Sequence, residues 1–207
     1  MPIRSATIVI AAVTALVSLI ISLGGLEGQA AGAMGFIPAR LSGLLDVPGA
    51  VPALLTPFSS TLVHGGMLHL FFNMIMLLLC GVAVERVLGV PNLLIIYLLS
   101  AVVSSLAQWT LDPAGAAPVI GASGAISGVI GAYALSFGRP KAVTTSARLN
   151  RVVHILWLAA AWTVLQVAVG WAAGQEGLLL ATPAHVGGFL TGMLLQRPLL
   201  LWRYRKA

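Results

Sequence analysis

No charged residue interrupts the chain from residue 6 to residue 23, and the stretches 66–84, 93–111, 121–137 and 152–171 are equally free of charge; a sixth, 184–201, admits only Arg197. A helix needs ~20 mostly apolar residues to cross a bilayer. The chain is therefore read as all-α and polytopic, a bundle of six transmembrane helices forming one membrane domain over residues 1–207. Charged residues make up only 8% of the sequence, where a soluble domain carries about 25%. The fourth and sixth stretches are short and glycine-rich. One cysteine, Cys80, lies inside an apolar run, so no disulfide framework can form within the chain.

Between the first two spans, Pro38, Pro48, Pro52 and Pro57 break residues 25–62 into short pieces, and the apolar character of that loop suits the membrane interface. With the N-terminus in the cytoplasm, the inner segments hold Arg4, Arg86, Arg139, Lys141, Arg148, Arg151, Arg197, Arg203, Arg205 and Lys206, and the outer ones only Arg40. That asymmetry follows the positive-inside rule and puts both termini in the cytoplasm. The net charge of +6 is thus topological, and no soluble basic face remains for a nucleic acid. The first span also has the basic start and small residues near 30–33 of a cleaved signal peptide. Its apolar run is long for one, and it is read as a retained helix.

This topology assigns depths. His64, His69 and Asn73 fall in the outer half of the second helix, Ser123 in the first turn or two of the fourth, and His185 near the outer end of the sixth. Taken singly, each has an ordinary explanation: a serine at a helix contact, a His–Asn pair bonded between helices. Three helices sending unusual polar groups to one depth is a different matter, because such groups in a bilayer face the bundle interior or a water-filled cavity. Gly124, Gly128 and Gly131, with Ala184, Gly188 and Gly192, have small-xxx-small spacing. Close approach of the fourth and sixth helices along that spacing would bring Ser123 within reach of His185. His154, beside Arg151, reads as an interfacial residue, and Cys80 as a small core residue.

The chemistry these groups suit is acyl transfer. None of the five carboxylates lies within an apolar stretch, and Glu85 sits at the cytoplasmic end far from Ser123, so no Ser-His-Asp triad is read at membrane depth. A dyad remains, with His185 as base for Ser123 and then as acid for the leaving amine. The Ser123 N–H, His69 and Asn73 are candidate oxyanion donors. There is no H-E-x-x-H zinc motif and no membrane-depth aspartate, and "GASGA" lacks the G-x-S-x-G elbow pattern. A transporter using His64, His69 and His185 would lack the carboxylates that accompany such paths. No metal or cofactor is called for.

In this order, "HGGMLHLFFNM", "GVAVERVLG", "GASG" and "AHVGGFLTG" resemble the rhomboid family of intramembrane serine proteases over about residues 60–195. The resemblance implies a six-helix rhomboid-like bundle that cuts transmembrane segments of other membrane proteins near the outer face. Ser123 is similar to the family's G-x-S-G nucleophile, His185 to its A-H-x-x-G base, and His69 and Asn73 to its H-x-x-x-N oxyanion donors. His64 is similar to a histidine that supports the loop and the site, with Gly121 and Gly124 as further supports. The expected setting is a bacterial plasma membrane, the partners are transmembrane substrates and the lipid bilayer, and substrate entry is implied near helix five.

Two features depart from the family. The first loop reads "LLTPFSS" where many members carry a Trp-Arg pair, and Ser127 stands where many place an aromatic residue against the histidine. Another residue, or a Ser127 hydroxyl contact, must then hold the His185 ring. The competing reading is a noncatalytic membrane scaffold of the same fold, although such relatives generally lose the serine or histidine that this chain keeps.

Overall fold

The computed structural model describes residues 5–175 and 180–205. Arg4 and Lys206, two of the basic residues that set the orientation, lie outside the described residues. The helices are α1 (Ala6–Leu23), α2 (Glu27–Met34), α3 (Pro38–Leu41), α4 (Thr56–Ser59), α5 (Met67–Met76), α6 (Val82–Leu88), α7 (Val90–Leu111), α8 (Ser123–Phe137), α9 (Ala147–Gln175) and α10 (Thr182–Arg203). A π-helical turn, Leu77–Gly81, joins α5 to α6 as one continuous rod. Ala6–Leu23, Met67–Leu88, Val90–Leu111 and Ala147–Ala172 are each long and apolar enough to cross a membrane. Helix α8 is apolar but shorter, and α10 is long but carries Arg197 and Arg203. The chain is an all-α, multi-pass membrane protein with a helix over each of the six stretches read from the sequence.

Local chemistry sets the helix edges. α7 begins three residues before the apolar stretch, because Gly89 ends α6 at φ 83° and Pro91 suits the first turn of the next helix. The first loop is broken as its prolines require, with Pro38 and Pro57 each in the first turn of a short helix. The π turn was not read from the sequence. It sets Gly81 against α1, where an added Cβ would lie 2.7 Å from Thr7 Cγ2.

Large apolar side chains such as Leu16, Leu79, Trp157 and Leu194 face outward, and the interior combines apolar residues such as Leu77, Leu93 and Ile96 with small and polar ones. Helix α1 buries Thr7, Ala11, Thr14, Ser18 and Ile21, a stripe at helical spacing. Its start is tied to the α5–α6 rod and its outer half to the loop that precedes that rod. Near the start, the Ser5 hydroxyl, the Thr7 N–H and the Thr7 hydroxyl donate to Glu85 at 2.9, 2.8 and 2.6 Å. Near the end, Ser18 meets His64 at 2.8 Å.

Helix α10 packs on α7 and α8 at the centre. Between α8 and α10 the contact is backbone on backbone. A Cβ at Gly192 would strike the Gly128 carbonyl, one at Gly188 the Gly124 carbonyl, and one at Gly131 the Phe189 carbonyl. On its other side α8 meets α7, where Ser100 and Ser104 occupy the space that side chains at Gly128 and Gly124 would take. Lipid gives helices no hydrophobic reason to associate, so close packing of small residues must supply the attraction.

Gly192→Ile is expected to lower unfolding stability in detergent by at least ~1–3 kcal/mol, the usual cost of overpacking. Gly174→Ala in α9, where an added Cβ meets nothing within 4 Å, should leave stability unchanged or slightly raised. Thermal unfolding of the two variants side by side checks the contrast.

Candidate active site

The segment leading into α8 is held by backbone bonds. Phe36 N–H donates to the Val119 carbonyl at 2.9 Å and Val119 N–H returns the bond at 2.8 Å, so the first loop grips residue 119. Gly121 N–H donates to the Ser60 carbonyl at 2.9 Å. Gly121 has φ +107°, and any Cβ there would lie 2.6–2.7 Å from the His69 ring. Glycine is required on both counts. Ser123 is the first residue of α8, preceded by Ala122 at the cap. The N–H groups of a first helical turn have no carbonyl four residues back, so the backbone around Ser123 offers donors at the positive end of the helix dipole.

Ser123 Oγ lies 2.8 Å from His185 Nε2, across the α8–α10 contact. On the other side of the ring, His185 Nδ1 is 2.8 Å from Gln166 Oε1 on α9. An amide oxygen only accepts, so Nδ1 carries the proton. The neutral ring then presents an unprotonated Nε2 to Ser123, whose hydroxyl donates. The Ser127 hydroxyl donates instead to the Ser123 carbonyl at 2.8 Å. Of the two ways of holding the ring, the structure thus has another residue, Gln166, and not Ser127. Gln166 was missed in the motifs, although a lone glutamine within the apolar run 152–171 is itself a signal in a membrane helix.

Of the residues read onto the second helix, His69 and Asn73 lie on α5, whereas His64 lies in the loop before it, because Gly66 at φ 126° starts the helix only at Met67. Ser18 Oγ has one proton and spends it on the Leu62 carbonyl at 2.8 Å, so it accepts from His64 Nδ1–H. His64 Nε2 is left to accept the Ala122 N–H at 3.4 Å. His64 therefore links α1, its own loop and the residue before Ser123. His69 accepts the Gly65 N–H at Nδ1 (3.4 Å), which places its proton on Nε2, the edge lying against Gly121. The rings of His64 and His69 meet edge to face, 5.0 Å apart. Asn73 is buried; its amide donates to the His69 carbonyl at 2.8 Å, and its Oδ1 is buried without a partner.

A cavity of about 20 Å³ adjoins Ser123 and His185, lined also by Ser60, Thr61, Ser104 and Ser105. That is room for about one water molecule. Each of the four hydroxyls donates to a backbone carbonyl of its own helix or turn, at 2.7–3.4 Å. Their oxygens remain as acceptors. The other singled-out residues stand apart. Glu85 anchors the start of α1, Cys80 is a buried free thiol, and His154 lines a separate cavity with Arg139, Lys141 and Trp157.

A family model described as the rhomboid domain matches residues 52–202, and the chain belongs to the rhomboid family. Among curated proteins, the rhomboid protease GluP of Bacillus subtilis is 31% identical over 140 residues, 67% of this chain and 24% of that protein. The rhomboid protease GlpG of Pectobacterium atrosepticum is 31% identical over 139 residues, 67% and 46% of the two chains. RHOMBOID-like protein 5 of Arabidopsis thaliana is 32% identical over 139 residues, 67% and 42%. The matched region spans less than half the length of each of these relatives.

The position of His64 has a measurable consequence. Burial first, and the neighbouring His69 charge second, push its imidazole down from 6.5 to about 4. Between those values the unfolded chain binds a proton there and the folded chain does not, so stability falls as pH drops through that window. At ~1.4 kcal/mol per pKa unit the loss reaches about 3 kcal/mol. Thermal unfolding followed from about pH 7 down to about pH 4 should show the decline. His64→Gln, which keeps a donor and an acceptor but cannot titrate, should make the decline shallower.

Proposed function

We propose that this chain is an intramembrane serine endopeptidase acting through a dyad of Ser123 and His185. The observation that carries the reading is the 2.8 Å contact between Ser123 Oγ and an unprotonated His185 Nε2. Membership of a family with relatives named as proteases supports it.

Ser123 Oγ attacks the scissile carbonyl carbon as its proton passes to His185 Nε2. The carbonyl oxygen becomes an oxyanion, met by the Ser123 N–H, the His69 Nε2–H and the Asn73 amide. Collapse breaks the C–N bond, and His185 gives its proton to the departing amine. Water then attacks the acyl ester while Nε2 takes its proton; the ester bond breaks, and the proton returns to Ser123. The cavity of acceptor hydroxyls beside Ser123 suits a water that donates to them. Gly121 and Gly124 support the site by letting His69 and Ser104 approach the α8 backbone.

The substrates in this reading are transmembrane segments of other proteins, cut near the outer face of the membrane. A substrate must present extended backbone to Ser123, so segments with small or helix-breaking residues near their outer end are preferred. Both termini lie in the cytoplasm. In support, the candidate site lies where α5, α8 and α10 begin, while Arg203, Arg86 and Glu85 meet at the opposite end, with Arg203 Nη1 donating to the Arg86 carbonyl at 3.2 Å.

A fluorophosphonate probe is expected to label the protein in membranes. Labelling should vanish in Ser123→Ala and be lost or greatly reduced in His185→Ala. Cleavage of a transmembrane reporter should fall by about three orders of magnitude or more in either variant. Folded wild-type protein that neither labels nor cleaves would sink the protease reading in favour of the scaffold. Asn73→Ala and His69→Ala should each reduce kcat by ~10²–10³-fold, the range for one oxyanion donor.

A further inference from the structure

Helix α9 is set apart by how little of it is inside the protein. Among the described residues, Gln166 is its only buried residue, at 9% exposure. Its apolar side chains, Val164, Leu165, Val167 and Trp171 among them, are exposed. α9 packs chiefly against α10, and the side-chain contacts that hold it there gather around His185. Trp162 stacks on Phe189 with ring centroids 4.6 Å apart and planes 8° from parallel. The Trp162 indole N–H donates to the His185 carbonyl at 3.3 Å. The Thr182 hydroxyl donates to the Gln166 carbonyl at 3.4 Å.

A polar side chain buried at a helix contact in lipid costs free energy unless it is bonded. The bond that Gln166 Oε1 makes is to His185 Nδ1. We propose that Gln166 is a positioning residue for the His185 ring, so that the serine–histidine pair is armed only while α9 is docked on α10. The inference rests on the protease reading above and adds a control to the same site.

Without an acceptor at Nδ1, the imidazole is free to rotate and to place its proton on Nε2, where it can no longer take the proton from Ser123. That acceptor comes from a helix that α10 holds through the Trp162–Phe189 stack and two hydrogen bonds, from the Trp162 indole to the His185 carbonyl and from Thr182 to the Gln166 carbonyl. Displacing α9 therefore withdraws the acceptor. With α9 displaced the pair is idle, and redocking restores it.

The test compares wild type, Gln166→Leu, Gln166→Glu, Trp162→Ala and the Gln166→Leu/Trp162→Ala double variant, with kcat and KM measured on a transmembrane reporter in liposomes and thermal stability alongside. Gln166→Leu should lower kcat by ~10–100-fold, the effect of one buried hydrogen bond, with KM and stability held. Gln166→Glu should recover most of the activity, because a carboxyl group offers an acceptor oxygen in either protonation state. Trp162→Ala should lower kcat in the wild-type background, yet add little in the Gln166→Leu background, since both act through one contact. Should Gln166→Leu fold poorly, the unbranched Gln166→Met carries the same expectation. Full activity in Gln166→Leu, no recovery in Gln166→Glu, or effects of the two substitutions that simply multiply would each overturn the proposal. An inactive wild type would instead bring down the protease reading, and this inference with it.

Discussion

The contact on which the rest of the structure depends is the one between the backbones of α8 and α10. Gly188 and Gly192 lie against the carbonyls of Gly124 and Gly128, with no room for a single added carbon. Two helices in that register have fixed separation and fixed rotation, so whatever each carries one turn further out is fixed as well. Ser123 sits one residue before Gly124, and His185 three residues before Gly188. The hydrogen bond between them follows from packing several residues deeper, where no reactive group is involved. An aqueous protein would achieve such rigidity with large interlocking side chains. In lipid, where large apolar side chains gain nothing by leaving the solvent, absence of side chains does the work.

A second layer of order comes from buried hydroxyls and imidazoles, each with its proton assigned by its partners. Ser18 bonds Leu62 and so must accept from His64, which in turn must accept from Ala122. Gln166 must accept from His185, which must then accept from Ser123. These two chains reach adjacent residues of the α8 start from opposite sides, one from α1 and one from α9. Partners without alternative protonation arrangements make such networks stiff, and here they leave His185 Nε2 as the acceptor for Ser123.

Much of this was legible in the sequence. The spans could be read because lipid demands a long uncharged run, and Ser123, His69, Asn73 and His185 because polar groups in such runs are conspicuous. The end of α10 was less legible. The apolar signal weakens at Arg197 and Pro198, but the helix continues to Arg203, since intrahelical bonding does not require apolar side chains and a charge near the end can reach the interface. The π turn at Leu77–Gly81 was hidden because it answers to Thr7, some seventy residues away. Gln166 was visible as a residue but not as a partner. Its meaning depends on which face of α9 meets α10, and a helix exposed over nearly all its surface has no amphipathic pattern to declare that face.

The grip of the first loop on Val119 is made by two peptide groups and no side chain. Main-chain bonds are indifferent to which amino acids carry them, so the loop can exchange its residues widely while still fixing the path into Ser123. The "LLTPFSS" stretch is tied to the same segment in the same way, the Gly121 N–H donating to the Ser60 carbonyl. Part of the path into Ser123 is therefore set by peptide geometry rather than by side-chain contacts.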